Sequence, residues 1–402
     1  MNDFEYMKRF AQENHIILGA GVAATVVVFA VFWSLGYRAS PSVYSPPAVD
    51  MKKDILEGKT MSMPAMIIES EPPPVVHIPT PDSVRAVYMT SWVAGTPSFR
   101  KNLVELADST EINAIVIDVK DYTGKIAFRT RDSAIGAIGS EENRVPDMRA
   151  FVEQLHQRDI YAIARISVFQ DPYFAEHAPH LAVQRGDGSI WKDRKGLSWV
   201  DPASEEVWKY AVAVAKAAER AGFDELNFDY VRFPSDGNLT DMKYPAWDGT
   251  KAKSDVIAEF FAYLNKELEE TGVPISVDLF GFVTSNTDDL NIGQVLEKAA
   301  PYADFIAPMV YPSHYPDNYN GYANPAAYPY EIVFKAMSDA SRRLTAASSS
   351  PAKLRPWLQD FDLGADYTAA MIQKQQQAVY DAGLKSWMMW DPKNLYTKEA
   401  YH

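Results

Sequence analysis

The chain contains no cysteine. Disulfides, thiolate nucleophiles, cysteine-bound zinc and iron–sulfur clusters are excluded together. The compartment stays open, because exported proteins also do without cysteine. Positive charge is in short supply: 39 Lys and Arg stand against 53 Asp and Glu, a formal net charge of -14. Phosphate backbones are bound through basic patches, so nucleic acid is not an expected partner. Histidine is scarce, and only His314 falls at the end of a predicted strand. No His-x-His pair closes the first predicted strand, which argues against a zinc amidohydrolase-type barrel. A glycine-rich phosphate loop is missing after the seventh and eighth predicted strands, which disfavours sugar-phosphate chemistry.

Charge is absent altogether from residues 16–36. At ~1.5 Å per residue, a helix of that length crosses ~30 Å of hydrocarbon. Trp33 and Tyr37 suit the interface at its far end. A cleaved signal peptide is the alternative, although its apolar core is shorter, roughly 7–15 residues. Lys8 and Arg9 precede the run and Arg38 follows it, a weak bias toward an inside amino terminus. The expectation is a cytoplasmic segment over residues 1–15, a single-pass helix in the cell membrane over 16–36, and an extracytoplasmic remainder. Residues 37–82 carry Pro41, Pro46, Pro47, Pro64, Pro72, Pro73, Pro74, Pro79 and Pro81 with little periodic hydrophobicity. They read as a semi-rigid polyproline II tether, or as a plain disordered connector.

The chain is 47% hydrophobic and 12% aromatic, enough for a large core over residues 83–402. Short apolar runs recur there, at residues 85–92, 114–121, 161–169, 225–234, 274–282, 304–313, 354–361 and 385–391. Amphipathic segments separate them, at 99–109, 149–158, 205–221, 254–270, 292–300, 330–344 and 367–382. Near-continuous apolar strands alternating with helices predict a parallel sheet buried on both faces. Eight such units fit a (β/α)8 TIM barrel. An open doubly wound sheet is the alternative, usually with fewer strands. The loops at 170–204, 235–250 and 314–328 are long and follow strands, while the opposite connections at 222–224, 271–273 and 382–384 are short. Barrel enzymes build their sites from the loops at the carboxyl face.

The densest chemistry lies in residues 225–234, Glu-Leu-Asn-Phe-Asp-Tyr-Val-Arg-Phe-Pro. Strand alternation sets Asn227, Asp229 and Val231 on one face and Leu226, Phe228, Tyr230 and Arg232 on the other, with Pro234 as the stop. A carboxylate thus sits at the carboxyl end of an apolar strand. The next strand, Pro-Ile-Ser-Val-Asp-Leu-Phe, places Asp278 in the same way. Glycosidic-bond cleavage needs one protonated carboxyl for the leaving oxygen and one ionised carboxyl to attack or to activate water. Like charges confined together push two pKa values apart and so create both roles. Asp229 and Asp278 are therefore the candidate catalytic pair.

Inward positions around them offer Asp118, Lys120, Arg165, Asn227, Tyr311, His314, Gln359 and Trp390 as candidate substrate contacts. Arg165 is also placed to hold Asp229 ionised, and Tyr311 to hydrogen-bond it. Asp118 with Lys120 reads equally as an internal ion pair, and Arg232 as a structural cation facing away from Asp229. Trp191 and Trp199 suit a sugar platform, or the core of their own loop. Aspartates also make Mg²⁺ or Ca²⁺ sites, so a metal-dependent hydrolase using Asp118, Asp229 and Asp278 is an alternative. No metal or other cofactor is expected.

These same stretches carry a resemblance. They are residues 116–121 (Val-Ile-Asp-Val-Lys-Asp), Asp171-Pro172, residues 191–202 (Trp-Lys-Asp-Arg-Lys-Gly-Leu-Ser-Trp-Val-Asp-Pro) and residues 222–234. Over roughly residues 84–391 the sequence resembles the family described as putative glycosyl hydrolase domain. That family is similar to other glycoside-hydrolase-like TIM barrels, including ones with an Asp-Tyr-Arg-Tyr-Pro type fourth strand. The resemblance implies Asp229 as the catalytic carboxylate and a polysaccharide or oligosaccharide as substrate. Asp278 stands where related barrels often place a second acid, frequently a glutamate. The expected function is membrane-anchored hydrolysis of a surface or cell-wall polysaccharide. A non-catalytic carbohydrate-binding barrel, acting as an anchored receptor or scaffold, is the alternative.

Overall fold

The computed structural model describes residues 75–402. The expected membrane helix at 16–36, the segment before it and the tether up to residue 74 lie outside the described residues. Among the described residues, no helix is long and apolar enough to cross a membrane.

Eight strands close into a barrel: β1 (Arg85–Met89), β2 (Ala114–Lys120), β3 (Tyr161–Ser167), β4 (Glu225–Asp229), β5 (Ile275–Phe280), β6 (Phe305–Met309), β7 (Trp357–Gln359) and β8 (Trp387–Trp390). Each pairs in parallel with the next, and β8 returns in parallel to β1. Helices α1 (Pro97–Asp108), α2 (Met148–His156), α3 (Glu205–Arg220), α4 (Lys253–Leu268), α5 (Leu296–Ala299), α6 (Pro329–Ala346) and α7 (Ala369–Asp381) follow β1 to β7 in turn. Every residue of β2, β3 and β4 is buried, which explains their unbroken apolar character. In α3, Val207, Ala211, Val214 and Ala218 recur at helical spacing and form its buried face. Glu205 and Glu206 in its first turn and Arg220 in its last complement the helix dipole.

The barrel interior is apolar in its middle, with Ala86, Ala114, Val116, Ile163 and Met388 buried together. Toward the amino-terminal end it holds an ion pair, Arg355 Nη1 donating to Glu225 Oε1 and Oε2 at 2.8 and 2.9 Å. The Tyr161 hydroxyl donates to the same carboxylate at 3.2 Å, and the Phe305 ring lies 3.9 Å from the guanidinium carbon. Each charge at this depth is compensated by the other, although Arg355 Nε is buried without a hydrogen-bond partner among the described residues.

Two local features differ from the sequence pattern. β4 stops at Asp229, because Tyr230 adopts the left-handed region at φ 54°. The alternation that set Arg232 opposite Asp229 therefore ends three residues before Arg232 and does not apply to it. Residues 75–82, grouped with the tether on composition, belong to the barrel's own compact unit, which starts at Val75. The Ile78 N–H donates to Asp224 Oδ1 at 2.9 Å, and the Thr80 hydroxyl lies 3.0 Å from that of Tyr161.

The chain beyond β8 seals the seam between the first and last strands. Asn394 Nδ2 donates to Tyr88 O at 3.1 Å, its Oδ1 accepts from Thr90 N–H at 2.9 Å, and Tyr396 Oη donates to Tyr88 O at 2.6 Å. Asp360, just past β7, accepts from the N–H and hydroxyl of Thr397 and from the Tyr401 hydroxyl.

A fragment starting at Val75 is expected to fold by itself. One starting at Ser83 loses the bonds made by Ile78 and Thr80, each worth a net ~0.5–1.5 kcal/mol. Calorimetry should place its melting several degrees lower; coincident melting would show that residues 75–82 contribute nothing.

Candidate active site

Strand register assembles the site. Asp118 pairs with Arg165 across β2 and β3, Arg165 with Asn227 and Ser167 with Asp229 across β3 and β4, and Asn227 with Ser276 across β4 and β5. Alternate residues share a face, so Asp118, Arg165, Asn227, Asp229 and Asp278 converge inside the carboxyl end of the barrel. Arg165 is the hub. Its Nη1 donates to Asp118 Oδ1 at 2.7 Å, its Nη2 donates to Asp229 Oδ2, and its Nε lies 3.6 Å from Asp278 Oδ2.

The three carboxyls differ in their remaining partners. Asp118 also accepts from the Tyr88 hydroxyl at 2.5 Å, and burial raises its pKa. Asp229 Oδ1 accepts from the backbone N–H of Tyr230 at 2.5 Å, next to the left-handed turn. A non-glycine residue in such a conformation costs ~1–3 kcal/mol and persists only where the surroundings impose it. Asp278 Oδ1 accepts from Asn227 Nδ2 and Trp357 Nε1, both at 2.9 Å, whereas its Oδ2 has no hydrogen-bond partner among the described residues. Burial, followed by the negative charge of Asp229, pushes the Asp278 carboxyl up to about 8. Arg165, Asn227 and Trp357 oppose that rise without cancelling it. Near neutral pH, Asp278 holds its proton.

Aromatic rings wall this cluster. Trp390 stacks on Tyr88 with centroids 3.8 Å apart, meets Trp357 edge-on at 5.5 Å, and lies 5.0 Å from the Arg165 guanidinium. Across the mouth, Tyr311 packs edge-on against His314 at 5.1 Å and Phe361 at 5.7 Å. Burial and then the charge of Asp278 hold the Tyr311 phenol well above its ordinary range. Burial, with the Lys195 charge, pulls His314 down to about 4, so its imidazole is neutral at ordinary pH.

Of the residues singled out in the sequence, Asp118, Arg165, Asn227, Asp229, Asp278, Tyr311, His314 and Trp390 come together here. Lys120 does not. It is buried at the end of β2, with its ammonium 2.8 Å from Asp171 Oδ2 and donating to Ser167 O at 2.5 Å. Trp191 and Trp199 are each 2% exposed, Trp191 packed against the loop after β4 and Trp199 against Tyr230 and Arg232. The Trp191 indole N–H donates to Asn238 O at 2.9 Å and that of Trp199 to Asp193 Oδ2 at 3.1 Å. Gln359 buttresses the mouth, its Oε1 accepting from the Ser313 N–H at 3.2 Å and hydroxyl at 2.8 Å. Trp357, which the strand pattern also turns inward on β7, contacts Asp278; Tyr88, which contacts Asp118, is not among the sequence candidates, although the inward parity of β1 was the available signal. Among the described residues no three His, Asp or Glu side chains are grouped to hold a metal ion, and the Arg165 guanidinium sits between Asp118 and Asp229.

Asp118, Asp229 and Asp278 thus lie together inside the carboxyl end of a closed (β/α)8 barrel, and the family match below places that barrel in the class of glycoside hydrolases. The chain belongs to the family described as putative glycosyl hydrolase domain, which matches residues 86–396. It is similar to a hypothetical protein from Ruminiclostridium thermocellum ATCC 27405 at 33% identity, over 51% of this chain and 98% of that one, with a TM-score of 0.45. The glycoside hydrolase domain of PgaB (BpsB) from Bordetella bronchiseptica matches at 13% identity over 78% of this chain and 95% of its own, with a TM-score of 0.57. Alpha-L-fucosidase isoenzyme 2 from Paenibacillus thiaminolyticus matches at 13% identity over 79% of this chain and 48% of its own, with a TM-score of 0.54. At that identity the last two attest the fold. No curated protein matches the chain.

The raised Asp278 pKa has a consequence for stability. A carboxyl whose folded pKa lies above its unfolded value destabilises the fold increasingly as pH climbs from the unfolded toward the folded pKa. Asp278→Asn removes that penalty. The melting temperature of the variant, relative to the parent, should rise between pH 5 and pH 8; a difference that stays flat with pH would refute the assignment.

Proposed function

We propose that the chain is a membrane-anchored glycoside hydrolase that cleaves a glycosidic bond in a surface or cell-wall polysaccharide, with Asp278 as general acid and Asp229 as its ionised partner. The observation that carries this reading is the division of labour between two neighbouring buried carboxyls. Asp278 keeps a proton to about pH 8, and its Oδ2 is the oxygen without a hydrogen-bond partner among the described residues. That oxygen, sealed from solvent in the free protein, delivers the proton to the glycosidic oxygen once a bound sugar has opened access to it, as the bond to the sugar breaks. Asp229, gripped by Arg165 and the Tyr230 N–H, supplies negative charge to the sugar's developing cation, by direct attack or through an activated water. Trp390, stacked on Tyr88, offers an apolar wall for the sugar ring.

Glycan hydrolysis by the full chain, followed by product analysis, tests this. Asp229→Asn should cut turnover by ~10²–10⁴ or more with the fold retained. In the parent, kcat/KM should fall as pH rises through about 8, because the acid must be protonated. In Asp229→Asn, residual activity should lose its alkaline limb at lower pH, since the neighbouring negative charge is gone. A normally folded Asp229→Asn protein cleaving at the parent rate would remove the catalytic assignment and favour a carbohydrate-binding barrel.

The anchor rests on the uncharged run at residues 16–36. Deleting residues 1–36 should move the protein from the sedimenting membrane fraction to the supernatant. Equal sedimentation of both forms would end the anchor reading.

A further inference from the structure

Two arginines stand near the mouth, and their surroundings are opposite. Arg165 is surrounded by carboxyls. Arg232 makes no ion pair among the described residues; its guanidinium instead sits among three rings, 4.8 Å from the centroid of Trp199, 5.7 Å from Tyr230 and 5.3 Å from Phe280. Its Nη1 donates to Phe233 O and Ser235 Oγ, both at 3.1 Å. The remaining edge, Nε with Nη2, has no acceptor among the described residues and is not sealed from solvent.

The setting holds this cation in place. The Trp199 indole is fixed by Asp193, and Tyr230 is fixed by its left-handed backbone beside Asp229. Gln294 accepts from the Phe280 N–H at 2.8 Å and donates to Val231 O at 3.3 Å, tying the two sides of the cage together. The nearest acidic groups are occupied elsewhere: Asp193 accepts from the N–H groups of Lys195 and Leu197, and Asp236 from that of Arg194. Desolvation outweighs their pull and that of Asp229, so the Arg232 pKa lies below its ordinary value, whereas that of Arg165 is raised. Lys195 acts electrostatically on both Arg232 and His314, which sets a second cation over the same mouth.

A partly desolvated guanidinium with one free fork edge is built to receive a planar anion through two parallel hydrogen bonds. We propose that Arg232 docks the carboxylate of an acidic sugar next to the scissile bond, so that the substrate class is a carboxylated glycan. This proposal rests on the glycosidase reading for its location, but its test reads binding and not turnover.

The full chain is applied to an array of bacterial polysaccharides printed in native form and after chemical reduction of their carboxylates to hydroxymethyl groups. Retention should be strong on carboxylated polymers and fall at least about tenfold on their reduced counterparts, the scale expected of a charge-assisted bidentate pair. Arg232→Gln should erase the difference between the two forms. Arg232→Lys, which keeps the charge without the fork, should restore part of it; the melting temperatures of both variants show whether the ring cage survives. Equal retention before and after reduction, retention of neutral or sulfated polymers alone, no retention of any carboxylated polymer, or native-like discrimination by Arg232→Gln would each overturn the proposal. An Asp229→Asn chain that still cleaves would remove the catalytic reading and leave this result standing.

Discussion

One guanidinium shared by three buried carboxyls governs the mouth of this barrel. Arg165 meets Asp118, Asp229 and Asp278, all within the low-dielectric interior. With every group ionised the cluster would carry an excess of negative charge. Two like charges ~4 Å apart repel by ~4 kcal/mol at the effective dielectric of a protein site. Protonating one carboxyl relieves that strain, and the hydrogen bonds decide which one. Asp229 takes the guanidinium and a backbone amide, while Asp278 faces Arg165 only at 3.6 Å. An acid and a carboxylate therefore arise from a shortage of cations in one buried layer.

The layer holds its shape because its supports are covalently local and spatially dense. The loops after β3 and β4 are stitched to each other: Asp201 Oδ2 accepts from the N–H groups of Ala246 and Trp247, and Gln184 exchanges backbone hydrogen bonds with Lys243. Those loops press Trp199 toward Tyr230, whose left-handed turn would otherwise relax. The strained residue, the indole behind it and the carboxylate before it form one mechanical unit.

Much of this was legible in the residues. Parallel strands buried on both faces leave continuous apolar runs, and strand parity placed Asp118, Arg165, Asn227, Asp229 and Asp278 on one wall. What escaped was set by tertiary contact. Nothing in Asp-Tyr-Val announces positive φ at a tyrosine, so the strand alternation was carried past its end to Arg232. Trp191 and Trp199 carry the composition of a sugar platform, yet the indole N–H of Trp199 finds its partner in its own loop and that of Trp191 in the loop after β4. Residues 75–82 share the proline content of the tether, and only their hydrogen bonds to Asp224 and Tyr161 reveal them as part of the barrel.

The seam between β1 and β8 carries a consequence in time. Tyr88 needs Trp390 as its stacking partner, and its carbonyl needs Asn394 and Tyr396, 306 and 308 residues further along the chain. A nascent chain emerging from its amino-terminal side has seven strands ready and no way to close them. Tyr88 also holds Asp118, so the carboxyl cluster is incomplete until Trp390, Asn394 and Tyr396 arrive. The barrel closes only once β8 and the residues just beyond it have been made, and until then the unfinished sheet keeps two open edges.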